Sequence, residues 1–191
     1  MSPENENIYS GLSNAAWGYF FLHFDFNLGP ISIFPRFVGW LLLSACQKLS
    51  GERRDLALLK PLTALLAAWY GLDWLLSWGG GDVDGHFLFL DLLVAVAGLY
   101  FHFQFLTDMA ALAKQYQPED ANLDRRLLRC RTVYVVLITL LALIGNLPIE
   151  LLEHLGEYAL IGMALIACIA AVMIMAALFK LRRYFAAAET G

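Results

Sequence analysis

The stretch KQYQPEDANLDRRLLRCR, residues 114–131, separates two long apolar runs and decides the fold class of this chain. It holds five of the thirteen Lys and Arg residues, and two further patches, residues 48–60 and 180–183, hold seven more. The segments that connect the apolar runs on their other side, residues 79–85 and 146–157, contain acids but no Lys or Arg. This alternation is typical of a protein that crosses a membrane several times with its basic connections inside. It predicts that the three basic patches and both termini are cytoplasmic.

The composition indicates the same class. Of the 191 residues, 60% are hydrophobic and only 16% are charged, whereas a soluble domain is about 45–50% apolar. We therefore expect the partner of most of the surface to be the lipid bilayer, and the location to be the cell (inner) membrane. The basic residues lie at the ends of apolar runs, where they meet lipid headgroups, so they do not indicate nucleic-acid binding.

Six segments are apolar enough to consider as membrane spans, given that a helix needs about 20 residues to cross the hydrocarbon. Four are long enough by themselves: residues 8–28, 56–78, 86–113 and 158–181. A fifth, residues 132–147, is shorter, but the amphipathic run from Leu123 extends it. The sequence thus predicts an all-α, polytopic transmembrane helix bundle of about six spans, forming a single integral membrane domain over residues 1–191.

The remaining segment, residues 35–49, is the short one. Fifteen helical residues rise only about 22 Å, so it either spans a locally thinned bilayer or forms a re-entrant hairpin with the first helix. Both arrangements return the chain to the side from which it came, so the orientation of the later helices does not depend on the choice.

Polar residues within the apolar segments are the candidates for a site, because they are costly in a membrane. The fourth segment carries Asp91, Ala95, Gly98 and His102 at helical spacing. Similar stripes are Gly11, Asn14, Gly18 and Asp25 in the first segment, and Thr63, Tyr70, Asp73 and Ser77 in the third. The fifth has a weaker pair, Thr139 and Asn146, whereas the sixth segment has no polar face.

Three of these acids lie at one depth. Asp25, Asp73 and Asp91 fall roughly 5–8 Å inside the outer boundary, as counted from the segment ends. We expect them to converge on an outward-facing pocket with aromatic walls, and His102 to supply a protonatable group deeper in. The predicted ligand-binding residues are Asp25, Asp73, Asp91, His102, Tyr70 and Trp74.

Two other interpretations of these residues stay open. An Asp within a turn or two of the interface reaches water or headgroups without forming a site, and His102 can serve as a hydrogen-bonding residue between helices. His23, His86 and His154 raise the question of a metal, but their spacing gives no ligand set, so no metal site is predicted. The chain lacks the nucleophile elbow, zinc-protease, Cys-x-x-Cys and P-loop motifs, so we expect neither an enzyme nor a cofactor.

One segment carries a resemblance to a known family. NLGPISIFPRFVGW, residues 27–40, resembles a stretch in uncharacterised small multi-spanning bacterial membrane proteins with the pattern Asn-x-x-x-Ile-x-Ile-x-Pro-x-Phe-x-Gly. The matching residues are Asn27, Ile31, Ile33, Pro35, Phe37, Gly39, Lys48 and Leu49. Ser32 and Arg36 stand where that pattern has acids. The resemblance implies a membrane protein with no assigned activity.

The predicted architecture is also similar to that of the substrate-binding subunits of energy-coupling-factor vitamin transporters, which are small six-helix proteins with cytoplasmic termini. The leading functional hypothesis, which rests on the predicted outward-facing pocket, is that the chain binds or transports a small solute, expected to be cationic because of the acids. The alternative is an accessory or assembly subunit of a larger membrane complex. Small-residue pairs such as Ala64 with Ala68 then pack against a membrane-protein partner or a second copy.

Overall fold

The computed structural model describes residues 3–24, 27–28, 31–32, 35–45, 59–79, 81, 88–145 and 157–188. These residues form six α-helices: α1 Pro3–His23, α2 Arg36–Ala45, α3 Lys60–Ser77, α4 Leu88–Tyr116, α5 Leu123–Gly145 and α6 Glu157–Ala188. Two residues of β1 (Asn27–Leu28) pair antiparallel with two of β2 (Ile31–Ser32) between α1 and α2. The all-α prediction is confirmed.

Three helices are long and apolar enough to cross a membrane, over Phe89–Tyr116 in α4, Leu123–Ile144 in α5 and Ala159–Ala187 in α6. Their outer faces are apolar and exposed; Leu92, Leu165 and Ile169 each expose about 60% of their surface. Such faces are the ones that lipid covers, and they fit a membrane protein. The helix of the short second segment, α2, has 10 residues, and residues 46–58 lie outside the described part of the chain.

The helices pack as a ring in chain order, which closes where α6 lies against α1. Neighbouring helices run antiparallel: Gly18 of α1 lies against Leu43 of α2, while Leu22, further along α1, lies against the earlier Gly39. One end of the bundle, here named the cavity end, is where α1, α3 and α5 end and α2, α4 and α6 begin. The opposite end is named the packed end.

Close contact between two glycines holds α2 against α1. A Cβ atom added to Gly39 lies 2.9 Å from the carbonyl oxygen of Gly18, and one added to Gly18 lies 3.0 Å from that of Gly39. The two backbones therefore approach more closely than any larger residue permits, as small residues allow between membrane helices. This contact sets the positions of Leu22 and Trp40 on either side of it.

Large side chains without solvent exposure fill the packed end. α4 contributes Phe105, Leu106, Met109 and Leu112 to this core, facing residues from α1, α5 and α6. Dispersion contacts at such density stabilise helix association where the hydrophobic effect between helices is weak. The facing residues include Leu12, Ala15, Ala16, Leu123, Leu127, Ile174, Ala177, Leu178 and Leu181.

The basic stretch of residues 114–131 forms the turn from α4 to α5 at the packed end. The Gln117 side-chain oxygen accepts the backbone N–H of Leu123 at 2.6 Å and that of Asp124 at 3.2 Å. It thus satisfies donors that the first turn of α5 leaves without helical partners. Asn122 takes a left-handed conformation with φ 47°, which Asn tolerates better than most residues. α5 begins at Leu123, as the amphipathic run predicts.

Candidate functional site

A partly open cavity of about 300 Å³ lies inside the ring at the cavity end. Five helices contribute to its wall, and no residue of α6 is among the described residues that form it. The lining residues are Leu22, His23, Arg36, Trp40, Tyr70, Val94, Ala95, Gly98, Leu99, His102, Tyr134, Ile138 and Ala142. Its size is at the lower end of the range of small-molecule pockets.

The cavity exists because α4 carries small residues where it passes this level. Ala95 and Gly98 line the cavity, and a Cβ atom added to Gly98 meets no other atom within 4 Å. One turn further along the same helix, His102 is buried, with 7% of its surface exposed. The space is therefore wide beside Gly98 and is closed towards the packed end by larger side chains.

His23, at the last turn of α1, is oriented by two hydrogen bonds. Its Nδ1–H donates to the backbone carbonyl of Tyr19 at 2.8 Å. Because that carbonyl only accepts, the neutral imidazole has its proton on Nδ1 and an acceptor at Nε2. The Tyr134 hydroxyl lies in contact with Nε2 and donates to it. The Nδ1 bond fixes the ring within α1, and the Nε2 bond joins α1 to α5.

His102 of α4 is joined to α1 through Tyr19, the residue whose backbone carbonyl accepts from His23. The Tyr19 hydroxyl lies 2.9 Å from His102 Nδ1, and Tyr19 itself exposes only 1% of its surface. The His102 ring also packs on the Tyr134 ring at 5.1 Å between centroids. Two histidines and two tyrosines from α1, α4 and α5 therefore form one polar cluster, here named the His-Tyr cluster, within an apolar bundle. Polar groups that meet in this way satisfy one another in a membrane.

Trp40 of α2 forms an aromatic wall of the cavity. Its ring lies 5.6 Å from that of His102 and 5.1 Å from that of Phe101, and it is nearly parallel to the Tyr70 ring, with 11° between planes. Trp40 is 3% exposed, yet its indole N–H has no hydrogen-bond acceptor among the described residues. A buried donor of this kind needs an explanation, since nearly all buried polar groups are paired.

Arg36, the first residue of α2, brings charge to the cavity. Its side chain is exposed, and it is the one charged side chain, besides the titratable histidines, among the described residues that line the cavity. A guanidinium stays protonated in proteins and has only donors. The wall thus carries a permanent positive charge.

The structure brings together two of the six predicted ligand-binding residues, His102 and Tyr70. Asp73, Asp91 and Trp74 are partly buried on α3 and α4 but are not among the lining residues. Trp74 packs instead against Phe37 at 5.4 Å and Trp78 at 5.1 Å. Asp25 lies outside the described residues. The binding roles of all six stay predictions.

The lining residues that were not predicted include four with polar side chains: His23, Arg36, Trp40 and Tyr134. A signal for His23 was present in the sequence, because Tyr19 and His23 are four residues apart on one face of an apolar helix. Within the described ranges, no group of three His, Cys, Asp or Glu side chains is placed to hold a metal ion.

Comparisons with known proteins gave no match: no protein-family model, no curated protein and no solved structure matches the chain.

Proposed function

We propose that this chain is an integral membrane protein that binds a small solute in the cavity at the cavity end. The observation that carries the proposal is the cavity itself, about 300 Å³ in volume and formed by five helices around a buried His-Tyr cluster. A concave, mostly apolar space with a few oriented polar groups is the usual form of a ligand site. A helix bundle that binds no ligand would be more stable with this space filled by side chains, because close packing stabilises the folded state.

The membrane arrangement we propose has six spans, with both termini cytoplasmic and the cavity facing outward from the inner membrane. The lengths of two helices support this arrangement: α1 has 21 residues and α3 has 18, which rise about 31 and 27 Å. The basic patches support the orientation, because the described ones lie at the packed end, which the positive-inside rule assigns to the cytoplasm.

The lining residues do not support the expected preference for a cation. That preference depended on aspartates, and the described part of the cavity wall contains no Asp or Glu. The proposal is therefore binding of a small solute, without the preference for a cation.

The test is a thermal-shift screen of the purified protein against a broad library of metabolites, amines and metal ions. A ligand at a hundredfold excess over its dissociation constant stabilises the folded state by about 2.7 kcal/mol, which a melting curve resolves. The matched variant is Gly98→Leu, whose side chain enters the open space beside Gly98. It should keep the melting temperature without ligand and abolish the ligand-dependent shift. A compound that stabilises wild type and Gly98→Leu equally would show that binding occurs elsewhere.

The accessory-subunit alternative is tested by mild-detergent purification from native membranes. Recovery of the chain alone, together with a ligand-dependent shift, supports the solute proposal. A stoichiometric membrane partner without any responding compound in the screen would favour the alternative.

A further inference from the structure

We propose that the solute is a flat aromatic molecule that accepts a hydrogen bond from Nε2 of His102. This inference rests on the proposed function and names the ligand class of the same cavity. Three observations support it: the open edge of the His102 ring, the aromatic rings beside it and the volume next to Gly98.

His102 has one ring nitrogen engaged and the other open to the cavity. Its Nδ1 lies 2.9 Å from the Tyr19 hydroxyl. Among the described residues Nε2 has no hydrogen-bond partner, and it is not one of their enclosed unpaired atoms, so part of its surface is accessible. Because His102 is only 7% exposed and lines the cavity, that surface belongs to the cavity. A polar atom in a mostly apolar cavity is the kind of group that orients a ligand.

The bond to Tyr19 determines what Nε2 offers. A phenol hydroxyl is a stronger acid than the N–H of a neutral imidazole, and an imidazole nitrogen is the stronger base, so the Tyr19 hydroxyl donates to Nδ1. The ring hydrogen of His102 is then on Nε2, which presents a donor to the cavity. The bond from Tyr134 to His23 runs in the same direction, from hydroxyl to imidazole. A solute must therefore supply an acceptor, because a buried donor without one is costly.

Aromatic rings form the wall around this donor. The centroid of the His102 ring lies 5.6 Å from that of Trp40 and 5.1 Å from that of Tyr134. Trp40 in turn is nearly parallel to Tyr70, with 11° between planes. Aromatic pairs prefer offset-stacked or edge-to-face arrangements at about 4.5–7 Å between centroids. A flat ring in the cavity therefore has partners for such contacts on more than one side.

The volume of the cavity suits two fused rings. An apolar cavity of about 150 Å³ holds one benzene molecule, and this cavity measures about 300 Å³. Space is open beside Gly98, where an added Cβ meets no atom within 4 Å. Gly98 and His102 are four residues apart, so they lie on one face of α4. A bicyclic ring beside Gly98 can thus direct an acceptor in its own plane to Nε2.

The test compares four uncharged bicyclic probes of similar shape. Quinoline and isoquinoline carry a ring-nitrogen acceptor, indole carries only a donor, and naphthalene carries neither. Dissociation constants are measured by titration of the purified full-length protein in weakly alkaline buffer. The Gly98→Leu protein in the same detergent corrects for partition of the probes into micelles. We expect quinoline or isoquinoline to bind ten or more times more tightly than indole and naphthalene.

Substitutions of His102 locate the preference. His102→Leu removes the ring nitrogens and should lower the affinity for the preferred probe about tenfold, the size of one lost hydrogen bond, with naphthalene affinity within about twofold. His102→Gln keeps an amide N–H near the position of Nε2 and should retain part of the preference. Tyr100→Phe removes a hydroxyl from the exposed face of α4 and should change no affinity.

The tautomer is tested by nitrogen-15 NMR of the histidine-labelled protein, with the His102 signals identified by their loss in His102→Gln. Nε2 should be the protonated ring nitrogen and Nδ1 the unprotonated one. The Nε2–H proton should move downfield when the preferred probe binds. This measurement is made on the wild-type protein, so it decides the proposal even if His102→Leu does not fold.

The ligand class and the solute proposal fail on different results. The ligand class is overturned if indole or naphthalene binds as tightly as quinoline and isoquinoline, or if none of the four binds. An unchanged preference in His102→Leu, or a ring proton on Nδ1, overturns it as well. All of these results leave the solute proposal standing, which fails only if the broad screen finds no compound whose effect Gly98→Leu removes.

Discussion

The packed end and the cavity end are formed by the same helices but differ in the size of the side chains that face inward. At the packed end α4 presents Phe105, Leu106, Met109 and Leu112, none of which exposes more than 2% of its surface. At the cavity end the same helix presents Ala95 and Gly98. This change in side-chain size along one helix accounts for a cavity at one end of the bundle.

The His-Tyr cluster lies between these two regions. His102 and Tyr19 stand where the small residues of α4 give way to the large ones, and their hydrogen bond joins α4 to α1 at that level. Oriented polar groups therefore form the inner end of the cavity, and close-packed side chains lie beyond them towards the packed end. This division predicts that substitutions at the packed end change stability and that substitutions at the cavity end change binding.

The largest effect should follow Leu106→Ala at the packed end. Leu106 has no exposed surface, and its truncation leaves a void that the close packing cannot collapse. We expect a loss of about 2–5 kcal/mol in the free energy of unfolding, measured in detergent. Leu92→Ala on the same helix is the matched control, because Leu92 is 61% exposed and should lose little. Equal losses in both variants would mean that the packed end does not carry the stability of the bundle.

Gly39→Ala should have the next largest effect. The added Cβ lies 2.9 Å from the Gly18 carbonyl oxygen, a backbone atom that cannot move without shifting α1 from α2. Overpacking of this kind costs about 1–3 kcal/mol, and the shift should also weaken solute binding because Trp40 follows Gly39. Gly162→Ala on α6, where an added Cβ meets no atom within 4 Å, controls for helix propensity. Thermal unfolding of both variants gives the comparison, and a neutral Gly39→Ala contradicts the close contact.

Tyr134→Phe should change stability less and binding more. The substitution removes the hydroxyl that donates to His23 but keeps the ring that packs on His102. Hydrogen bonds between membrane helices average about 0.6 kcal/mol, so the loss of stability should be of that size. We expect a larger change in solute affinity, because His23 loses the bond that fixes its position in the wall. Tyr100→Phe on the exposed face of α4 is the control. Equal solute affinities in the two variants would show that the His-Tyr cluster does not contribute to binding.

Much of the fold could be predicted from the sequence because it depends on where apolar runs begin and end. The order of the six helices and the start of α5 at Leu123 follow from those boundaries. In α4 the stripe that includes Ala95, Gly98 and His102 also predicted which face lines the cavity. Small and polar residues interrupt an otherwise apolar helix there, so the sequence pattern indicates which face of α4 turns inward.

The rotation of α1 could not be predicted in the same way. The stripe of Gly11, Asn14, Gly18 and Asp25 suggested the face towards the pocket, whereas Leu22 and His23 line it. A helix that is apolar on most sides has no strong preference in lipid, so contacts with neighbours set its rotation. Here the approach of Gly18 to Gly39 sets it, and a contact between distant glycines is not visible in the pattern of either segment.

Thr107→Val should have the smallest effect, although it removes a hydrogen bond near the packed end. The Thr107 hydroxyl accepts from Arg131 at 2.8 Å and donates to the Phe103 carbonyl of its own helix. Arg131 keeps a second contact with α4, since its guanidinium carbon lies 4.3 Å from the centroid of the Phe103 ring.

We therefore expect a loss below about 0.6 kcal/mol, the average for a hydrogen bond between membrane helices. Thr132→Val, which removes only a bond to its own helix, is the matched control for the unfolding measurement. A loss in Thr107→Val that approaches that of Leu106→Ala would mean that polar contacts hold α4 to α5 at this end. The contrast between the two ends would then be one of polar bonding rather than of side-chain size.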